Sequence, residues 1–584
     1  MPWPEPDPLI AAAIAAKYSG KRPRPLAVLI RDRLGEWLGD EDFAAAFGIR
    51  GRPGWSPSRL ALVTMLQRAE NLTDRQAAEA VRTRIDWQYL LGLPVDDPGF
   101  DHTVLAEFRG RVAGAGLEQV VLDALLARLA SEGLVKAGGK QRTDSTRVVA
   151  AVAALTRLQL AGESVRAVLE ALAAAHPAWL EQRVCVSDFA RRYGTPMTSW
   201  RPPLSPPEQD ELAIAYARDG YALLEAVYDN AAPAWLRELP AIGVLRRVLL
   251  QNYTRTITED GREVIRRREK QPEGDGLPPG HARIASPYDT DARWAARRDS
   301  SSSWLGYKLH ITETCDDPPP CTCRPAGDGA RDREHGRGCA HLVFPNLITN
   351  VATTGATVTD HQMTEPVQDA LAARNLAPRS ALRRLGLCQR RPGGLGAGQV
   401  GHRPDRAAAG RHLRPGPRRH RVRPRRLHRR LRHQDRHLPA GQTSSSWTAC
   451  TQKDHAAAVA TFSPGDCGPC PARPQCTTSS RNRRQITILP RDLAQAQAAA
   501  RAAEKTIPFQ AGYARRAGVE GAMHQAISHG ARRARYRGLP KTRLDHSYMA
   551  CALNLLRLEA YWTGTPLDRQ RTSHLARLEL RLAA

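Results

Sequence analysis

The sequence lacks an early hydrophobic run long enough for a signal peptide or a membrane span. Its first apolar stretch, residues 9–16, covers eight positions and follows two acidic residues, Glu5 and Asp7. A membrane-spanning helix needs about 20 apolar residues, and a signal peptide begins with a positively charged segment. We therefore expect a cytoplasmic protein without a membrane partner.

Residues 381–440 lack the side chains of a folded core. This segment has no Phe, Tyr, Trp, Ile or Met and no Lys or Glu, but it contains 18 Arg against two acidic residues, Asp405 and Asp435. Without aromatic residues, Ile or Met, and with 18 Arg, it cannot supply a buried strand or helix face. It is therefore anomalous in a chain that is otherwise globular in composition, with 42% hydrophobic residues.

Acidic residues are also scarce relative to basic ones over the whole chain of 584 residues. It has 86 Lys and Arg against 59 Asp and Glu, which gives a formal net charge of +27. Such an excess favours a polyanionic partner, most plausibly a nucleic acid. The 11 cysteines of a cytoplasmic chain indicate free thiols or metal ligands rather than disulfides.

Residues 1–135 have apolar positions at helical spacing and are predicted to be helical. Within them, the periodic stretch 58–69 is followed by an N-cap signal at 71–74 and a second helix over 75–84. This order suggests a helix-turn-helix-like unit. The alternative is a plain helical pair whose arginines form a solvated face. The arginines that would contact DNA are Arg75, Arg82 and Arg84.

An α/β domain follows, and a long insertion divides it. A strand carrying Asp144 is predicted over 136–149, helices over 153–250, and a hairpin around the Asp-Gly turn at 260–261. The elements expected after the insertion are strands at 304–312 and 347–352 and a helix at 365–374.

Acidic side chains in this domain and near the C-terminus could hold a cation. Asp144 lies within a predicted strand, where a buried carboxylate is costly unless it binds a cation or hydrogen-bond donors. By itself it could also be a turn or N-cap residue. Tyr513, Arg516 and Glu520 are spaced i, i+3, i+7 in a region, 489–562, that is predicted to be helical, so they should share one helical face. A strand carboxylate and a helix carboxylate together suit Mg²⁺ beside a phosphodiester.

Several motifs together resemble bacterial insertion-sequence transposases of the DDE type. They are FDHT at 100–103, EFR at 107–109, RTDST at 142–146, GYKLH at 306–310, the strand at 346–354 with Asp360, and Y-x2-R-x3-E at 513–520. The resemblance implies an α/β fold with an RNase H-like mixed sheet, interrupted by the helical insertion and preceded by an all-α N-terminal domain. It also implies two Asp and one Glu around two Mg²⁺ ions.

The resemblance assigns roles to residues of this chain. Asp144 would be the first metal ligand and Glu520 the third, while Tyr513 and Arg516 would contact DNA phosphate near the cut. The two ions would activate a water, stabilise the leaving 3′ oxygen and then allow the 3′-OH to attack in strand transfer.

Other positions follow the resemblance less closely. Asp360 is expected at a turn or helix cap, because the family's second Asp lies on a later strand, and the lysine often found seven residues after the Glu is Ile527 here. The implied partners are terminal inverted repeats and target DNA, bound by a homo-oligomer associated with the nucleoid. Further basic residues expected at the DNA are Arg532, Arg533 and Arg535.

The strand that should carry the second Asp is missing. The family has LVDSGY after the helix, whereas this chain has LRRLGLCQR at 382–390. A one-base slip, with GC-rich codons chosen for the purpose, converts VDSGYASA into RRLGLCQR, which is identical to residues 383–390. The rival interpretation is a genuine Arg-rich arm that binds nucleic acid. A slip removes the second metal ligand, so the chain would be impaired or inactive as a catalyst.

Two groups of cysteines have spacings that suit metal ligands. Cys467, Cys470 and Cys476, with Cys450 upstream, have the knuckle-like spacing of tetrahedral zinc sites, and the alternative is a set of free thiols. A second group, irregularly spaced in a Pro- and Gly-rich loop, leaves the same two alternatives open: Cys315, Cys321, Cys323, Cys339 and His341. The cysteines expected to be buried thiols in helical surroundings are Cys185 and Cys551.

These observations predict seven segments and one favoured function. The segments are 1–135 (helical DNA-binding domain), 136–152 with 281–378 (first part of the core), 153–280 (helical insertion), 379–440 (anomalous and disordered), 441–482 (cysteine knuckle), 483–565 (C-terminal helices of the core) and 566–584 (tail). The favoured function is a DNA transposase. The alternative is a non-catalytic DNA-binding protein that occupies the element ends. A zinc-dependent hydrolase has less support, because no His-rich ligand set is apparent.

Overall fold

The computed structural model describes most of the chain. The described residues are 3–20, 22–48, 54–199, 205–269, 276–296, 303–316, 345–383, 429–430, 435–436, 443–452, 455–476, 483–514 and 518–564. Two compact units are formed, Met1–Ser380 with Ala517–Ala584 and Ala381–Arg516, here called the core unit and the second unit. The segment 483–516, expected among the C-terminal helices of the core, thus falls in the second unit. Among the described residues, no helix combines the length and apolar character needed to cross a membrane.

Helices make up the N-terminal part of the core unit, as predicted. They are α1 (Pro8–Lys17), α2 (Leu26–Leu34), a 3-10 helix (Asp40–Ala46), α3 (Pro57–Glu70), α4 (Asp74–Thr83), α5 (Ile85–Leu91), α6 (Thr103–Gly114) and α7 (Val120–Ser131). Asn71 ends α3 in the left-handed conformation, and Thr73 forms a capping box with Gln76 at the start of α4. The predicted order of helix, short turn and helix is therefore present.

Six strands lie in the part of the core unit between residues 140 and 355. They are β1 (Lys140–Val149), β2 (Tyr253–Ile257), β3 (Glu263–Arg267), β4 (Arg293–Ala296), β5 (Ser303–Thr314) and β6 (Ile348–Gly355). One edge of β5 pairs with β1. The other edge pairs with β4 near the start of β5 and with β6 along the rest of it, and all three pairings are antiparallel. At Gly306, with φ +150°, an added Cβ would lie 2.2 Å from the Val148 carbonyl oxygen, so only glycine fits between β1 and β5 there.

The predicted helical insertion separates β1 from the rest of this sheet. Its helices are α8 (Arg157–Ala175), α9 (Pro177–Glu181), α10 (Val186–Tyr193), α11 (Pro206–Tyr228) and α12 (Pro240–Asn252), with 3-10 helices at Met197–Ser199 and Ala234–Glu238. Val165, Tyr193 and Leu245 belong to a hydrophobic core that is the insertion's own. The β2–β3 hairpin follows, and Gly261 in its turn has φ +72°, as the Asp-Gly signal predicts.

After β6 the chain forms α13 (Thr364–Ala373) and then runs beside the beginning of β1. The Gly138 N–H donates to the Ala377 carbonyl at 2.9 Å, and the Arg379 N–H donates to the Gly139 carbonyl at 3.0 Å. From the first bond to the second, the residue number increases in both segments, so the two segments run in the same direction. A short strand, β7 (Ser380–Arg383), begins directly afterwards. Residues 384–428, most of the Arg-rich segment, lie outside the described residues.

The second unit contains small strands and short helices. They are β8 (Arg429–Arg430), β9 (Asp435–Arg436), β10 (Ser446–Gln452), β11 (His455–Thr461), α14 (Pro464–Cys467), α15 (Arg473–Cys476), β12 (Gln485–Ile488), α16 (Arg491–Ala503) and α17 (Ile507–Ala514). The strands β10, β11 and β12 form an antiparallel sheet. Phe462 and Cys467 are its most buried neighbours, with Ile486 packed against them.

The C-terminal part of the core unit joins the helical region to the sheet. It consists of α18 (Val519–Ala526), a π-helical turn (Ile527–Ala531) and α19 (Leu539–Thr563). α19 packs against both β6 and α3, and Asn554 both accepts from the Ile348 N–H and donates to its carbonyl. The continuous helix predicted from 513 to 562 is wrong, because Gly530 (φ +90°) and Gly538 (φ +89°) interrupt it.

Candidate active site

Asp144 lies half-buried in the middle of β1. Because side chains alternate along a strand, Arg142, Asp144 and Thr146 face the same side of the sheet. The Ser145 N–H donates to Oδ1 of Asp144 at 2.9 Å, which orients the carboxylate. Two residues further on, the Thr146 hydroxyl accepts a hydrogen bond of 3.1 Å from Arg532. The C-terminal region therefore covers the face of the sheet that bears Asp144.

The helix that carries Glu520 packs on this same face. α18 contacts β1, and its first turn begins at Gly518, which lies directly against the Arg142 guanidinium. Glu520 itself is exposed to solvent. The side chains that α18 buries are Val519, Ala522, Met523 and Ala526. The strand of Asp144 and the helix of Glu520 are thus adjacent, on one side of the sheet.

A buried ionic network lies beside this pair, and no sequence motif indicated it. The Glu313 carboxylate, 1% exposed, binds Arg142 at 2.7 Å and Arg557 at 2.8 Å. Arg557 also donates to Gln525 of α18 at 2.8 Å. The only sequence signal is an acidic residue in a strand, β5, whose other side chains are mostly apolar, Thr or Tyr.

Tyr513 lies near the end of α17, half-buried and stacked on Phe509 with ring centroids 6.0 Å apart. Glu520 lies in the first turn of α18. The helical face expected to hold Tyr513, Arg516 and Glu520 runs through residues 515–517, which lie outside the described residues. That shared face therefore stays a prediction.

The three arginines predicted on the helix-turn-helix-like pair have different surroundings. Arg75 and Arg82 are exposed on α4, and Arg82 lies 3.6 Å from Glu79. Arg84, by contrast, binds both Glu70 and Asp86, and its guanidinium lies 5.2 Å from the centre of the Trp87 ring. Burial lowers the pKa of Arg84, but its hydrogen bonds to Asp86 and Glu70 outweigh burial and raise it. Of the three, Arg75 and Arg82 are therefore the ones exposed to solvent.

The basic residues after α18 are also divided between two environments. Arg533 is exposed, whereas Arg532 is half-buried and donates to Thr146. Arg535 donates to the Leu72 carbonyl at 3.3 Å and to the side chain of Asn71. Arg535 is thus engaged by the turn between α3 and α4.

Asp360 lies in a turn shortly before α13, as expected. Its Oδ1 accepts a hydrogen bond of 2.7 Å from the Ser145 hydroxyl and lies 3.5 Å from Lys308 Nζ. Because Ser145 and Asp144 alternate along β1, Asp360 lies on the other side of the sheet from Asp144. It is therefore placed apart from the face that bears Asp144 and α18.

The cysteine predictions have mixed outcomes. Cys467 is buried and Cys476 packs against it. Burial raises the pKa of Cys476, and the nearby Cys467 and Cys470 thiols raise it further, against the opposing effect of Arg484. Cys450 lies on β10 opposite Ala457. These neighbours bring three of the four predicted ligands into one region of the second unit.

Cys551 is buried as predicted, whereas Cys185 is exposed, contrary to the prediction. Cys185 precedes α10, a short helix that buries only Tyr193, so its apolar surroundings in the sequence do not become a core. Cys315 is buried. Its expected partners lie outside the described residues: Cys321, Cys323, Cys339 and His341.

Asp144 and Glu520 belong to elements that pack together, β1 and α18, and carboxylate oxygens are the donor type that Mg²⁺ prefers. Within the described ranges, no group of three or more His, Cys, Asp or Glu is arranged to hold a metal ion. By the resemblance, the missing Asp would follow β7 at position 384, which is Arg384 and lies outside the described ranges.

Two family models match the chain. A transposase domain of the DUF772 type matches residues 16–111, which contain most of the N-terminal helices, and a transposase DDE domain matches residues 438–559, which contain the Cys467 knuckle, Tyr513 and Glu520. No significant match was found among curated proteins or solved structures. The second matched range begins just after most of the Arg-rich segment.

Proposed function

We propose that the chain is a DDE transposase of an insertion sequence, as its matches to two transposase domain families support. Its fold would serve metal-dependent cleavage and transfer of DNA strands at terminal inverted repeats, with catalysis impaired in this chain. Transposase families act on DNA, and the excess of basic residues suits that partner. The observation that carries the proposal is the packing of α18, with Glu520, on the face of β1 that bears Asp144.

The order of strands supports an RNase H-like core. β1, which carries the first acidic residue, is followed by β5 antiparallel to it and β6 beyond β5. Helix α13 then returns the chain to the edge of β1 that does not pair with β5, where residues 377–379 run in the same direction as the beginning of β1. In an RNase H-like core, the strand at this edge carries the second Asp.

Asp144 and Glu520 are the residues of this chain that would hold Mg²⁺. When bound, the ion would polarise the scissile phosphate and lower the pKa of an attacking water. The chain's own groups prepare the site: the Ser145 N–H orients Asp144, and Arg532, bound to Thr146 on the same face, supplies positive charge for a DNA phosphate.

The proposed loss of catalysis has its origin in the residue type at the position that follows β7. The strand ends at Arg383, and the sequence RRLGLCQR replaces VDSGYASA from that residue onward. Arg384 then stands where the second carboxylate should be. An arginine repels a divalent cation instead of binding it, so we propose that this chain cannot hold both ions.

The direct test compares this chain with a version whose reading frame is restored across codons 375–445. We expect Mg²⁺-dependent nicking of terminal-repeat DNA by the restored version only, and we expect Asp144→Ala or Glu520→Ala to abolish that nicking. Equal nicking by both versions would refute the proposed impairment. Nucleotide sequence that cannot be read as VDSGYASA in another frame would favour a genuine Arg-rich arm.

The second candidate is a DNA-binding protein that occupies the element ends without cutting them. The exposed Arg75 and Arg533 favour it, because phosphate contacts of this kind need no metal. Under this proposal, binding is sensitive to salt and unchanged by Asp144→Ala, and no nicking appears in either frame.

We also propose one Zn²⁺ in the second unit, held by Cys467, Cys470 and Cys476, with Cys450 as the fourth ligand. The packing of the half-buried Cys476 against the cluster that contains the buried Cys467 supports this proposal. Purified protein should contain about one zinc per chain by elemental analysis, and Cys470→Ser should lose it while Cys185→Ser, at an exposed cysteine elsewhere, should retain it. Equal zinc contents in the two variants would leave the cysteines as free thiols.

A further inference from the structure

Glu313 is a buried carboxylate that the metal chemistry does not use. Each of its oxygens binds a different arginine. Oε1 accepts from Nε of Arg142 at 2.7 Å, and Oε2 accepts from Nη1 of Arg557 at 2.8 Å. With only 1% of Glu313 exposed, these charges interact in an environment that screens them weakly.

Each arginine contacts a different end of α18. At the start of the helix, an added Cβ on Gly518 would lie 2.0 Å from Nη1 of Arg142, so the guanidinium lies directly against the backbone. Near the end of the helix, Oε1 of Gln525 accepts from Nε of Arg557 at 3.0 Å and from its Nη2 at 2.8 Å. Glu520 lies between these two contact points.

We propose that Glu313 is a positioning residue: through Arg142 and Arg557 it fixes α18, and so the Glu520 carboxylate, relative to Asp144. This inference rests on the proposed function, because it concerns Glu520 as a metal ligand. Arg142 lies on the same strand and the same face as Asp144, and it also contacts the start of the helix that carries Glu520. One side chain therefore links the positions of the Asp144 and Glu520 carboxylates.

The choice of charged groups supports a positioning role. A buried ion pair is seldom more stable than apolar side chains of the same size, because desolvation offsets the attraction. Arginine–carboxylate hydrogen bonds are directional, however, and fix the two groups at a set distance and angle. Metal ligands need such support, since a displacement of about 0.5 Å degrades a site.

The test uses Gln525→Met, which removes only the Arg557 contact to α18 and keeps the side-chain volume. Gln159→Met is the matched control, because Gln159 is also half-buried but lies in the insertion. Its side chain donates to the Met197 carbonyl and accepts from the Thr156 N–H. Hydrogen exchange of residues 519–526 and Mn²⁺ affinity by electron paramagnetic resonance are measured in the full chain. Asp144→Asn identifies the Mn²⁺ signal that belongs to this site.

In Gln525→Met we expect several-fold faster exchange in residues 519–526 and an Mn²⁺ affinity about 10-fold weaker, the size typical of lost outer-shell partners. Glu313→Gln should show both effects more strongly, and Gln159→Met neither. Unchanged exchange and affinity in Gln525→Met would overturn the inference. If Asp144→Asn binds as much Mn²⁺ as the unaltered chain, the proposed metal site is wrong. The hydrogen exchange of residues 519–526 then decides by itself whether Glu313 positions the helix.

Discussion

The guanidinium of Arg535 donates a hydrogen bond of 3.3 Å to the carbonyl oxygen of Leu72, in the turn that joins α3 to α4. The two residues belong to opposite ends of the core unit's sequence. Their contact accompanies a hydrophobic core that the N-terminal helices and the central sheet share. The helical pair predicted to bind DNA is therefore held against the segment that follows the Glu520 helix.

This contact predicts that Arg535 contributes to stability rather than to DNA binding. Arg535→Ala should lower the free energy of unfolding by about 1–2 kcal/mol, because hydrogen bonds from a charged donor are lost, and DNA affinity should stay the same. Arg533→Ala is the matched control, since Arg533 is exposed, and should weaken DNA binding without changing stability. Urea unfolding and fluorescence anisotropy with terminal-repeat DNA measure the two effects, and a reversed pattern would contradict the assignment.

Arg75 and Arg84 should differ in the same way within the helical pair. Arg75→Ala removes an exposed charge and should reduce DNA affinity for all sequences, with the slope of log affinity against log salt smaller by about 1. Arg84→Ala should destabilise the fold by about 1 kcal/mol, because it removes ion pairs to Glu70 and Asp86 and a contact with Trp87. DNA titrations at several salt concentrations check this, and equal salt slopes for the two variants would count against a DNA contact by Arg75.

Asp74 should make the stability of the helical region depend on pH. Burial alone would raise its pKa, but hydrogen bonds from Arg109 and Gln67 outweigh burial and hold the pKa below the usual value. An acid with a lower pKa in the folded state stabilises that state above the unfolded pKa, about 3.9, and the contribution disappears as pH falls through the folded pKa. The free energy of unfolding should therefore fall more steeply below about pH 4 in the unaltered chain than in Asp74→Asn. Parallel curves for the two proteins would show that Asp74 is not responsible.

Gly306 should tolerate no side chain. With φ +150° and the Val148 carbonyl 2.2 Å from an added Cβ, Gly306→Ala strains the backbone and separates β1 from β5, at a cost of about 3 kcal/mol or more. Gly243→Ala is the control, since Gly243 is on α12 with nothing near an added Cβ, and should stabilise that helix by up to about 1 kcal/mol. Thermal unfolding measures both, and similar melting temperatures for the two variants would contradict this account of Gly306.

The sequence alone predicted those features that depend on neighbours along the chain. The helical N-terminal region, the strand of Asp144, the insertion and the Gly261 hairpin follow from periodicity, capping residues and turn chemistry. The resemblance to DDE transposases follows from short motifs, and transposase family models match residues 16–111 and 438–559. The lack of aromatic residues, Ile and Met after Arg383, up to residue 440, was equally visible, because composition by itself limits what can be buried.

Tertiary structure decided the rest. Gly518, at the start of α18, lies against Arg142 of β1, and Arg535 donates to Leu72, a residue 463 positions earlier in the chain. Contacts between such distant residues leave no periodic signal, and neither does a carboxylate that binds two arginines from different elements. The sequence therefore supplied the acidic residues, while the packing of α18 on β1 determined that two of them lie on one side of the same sheet.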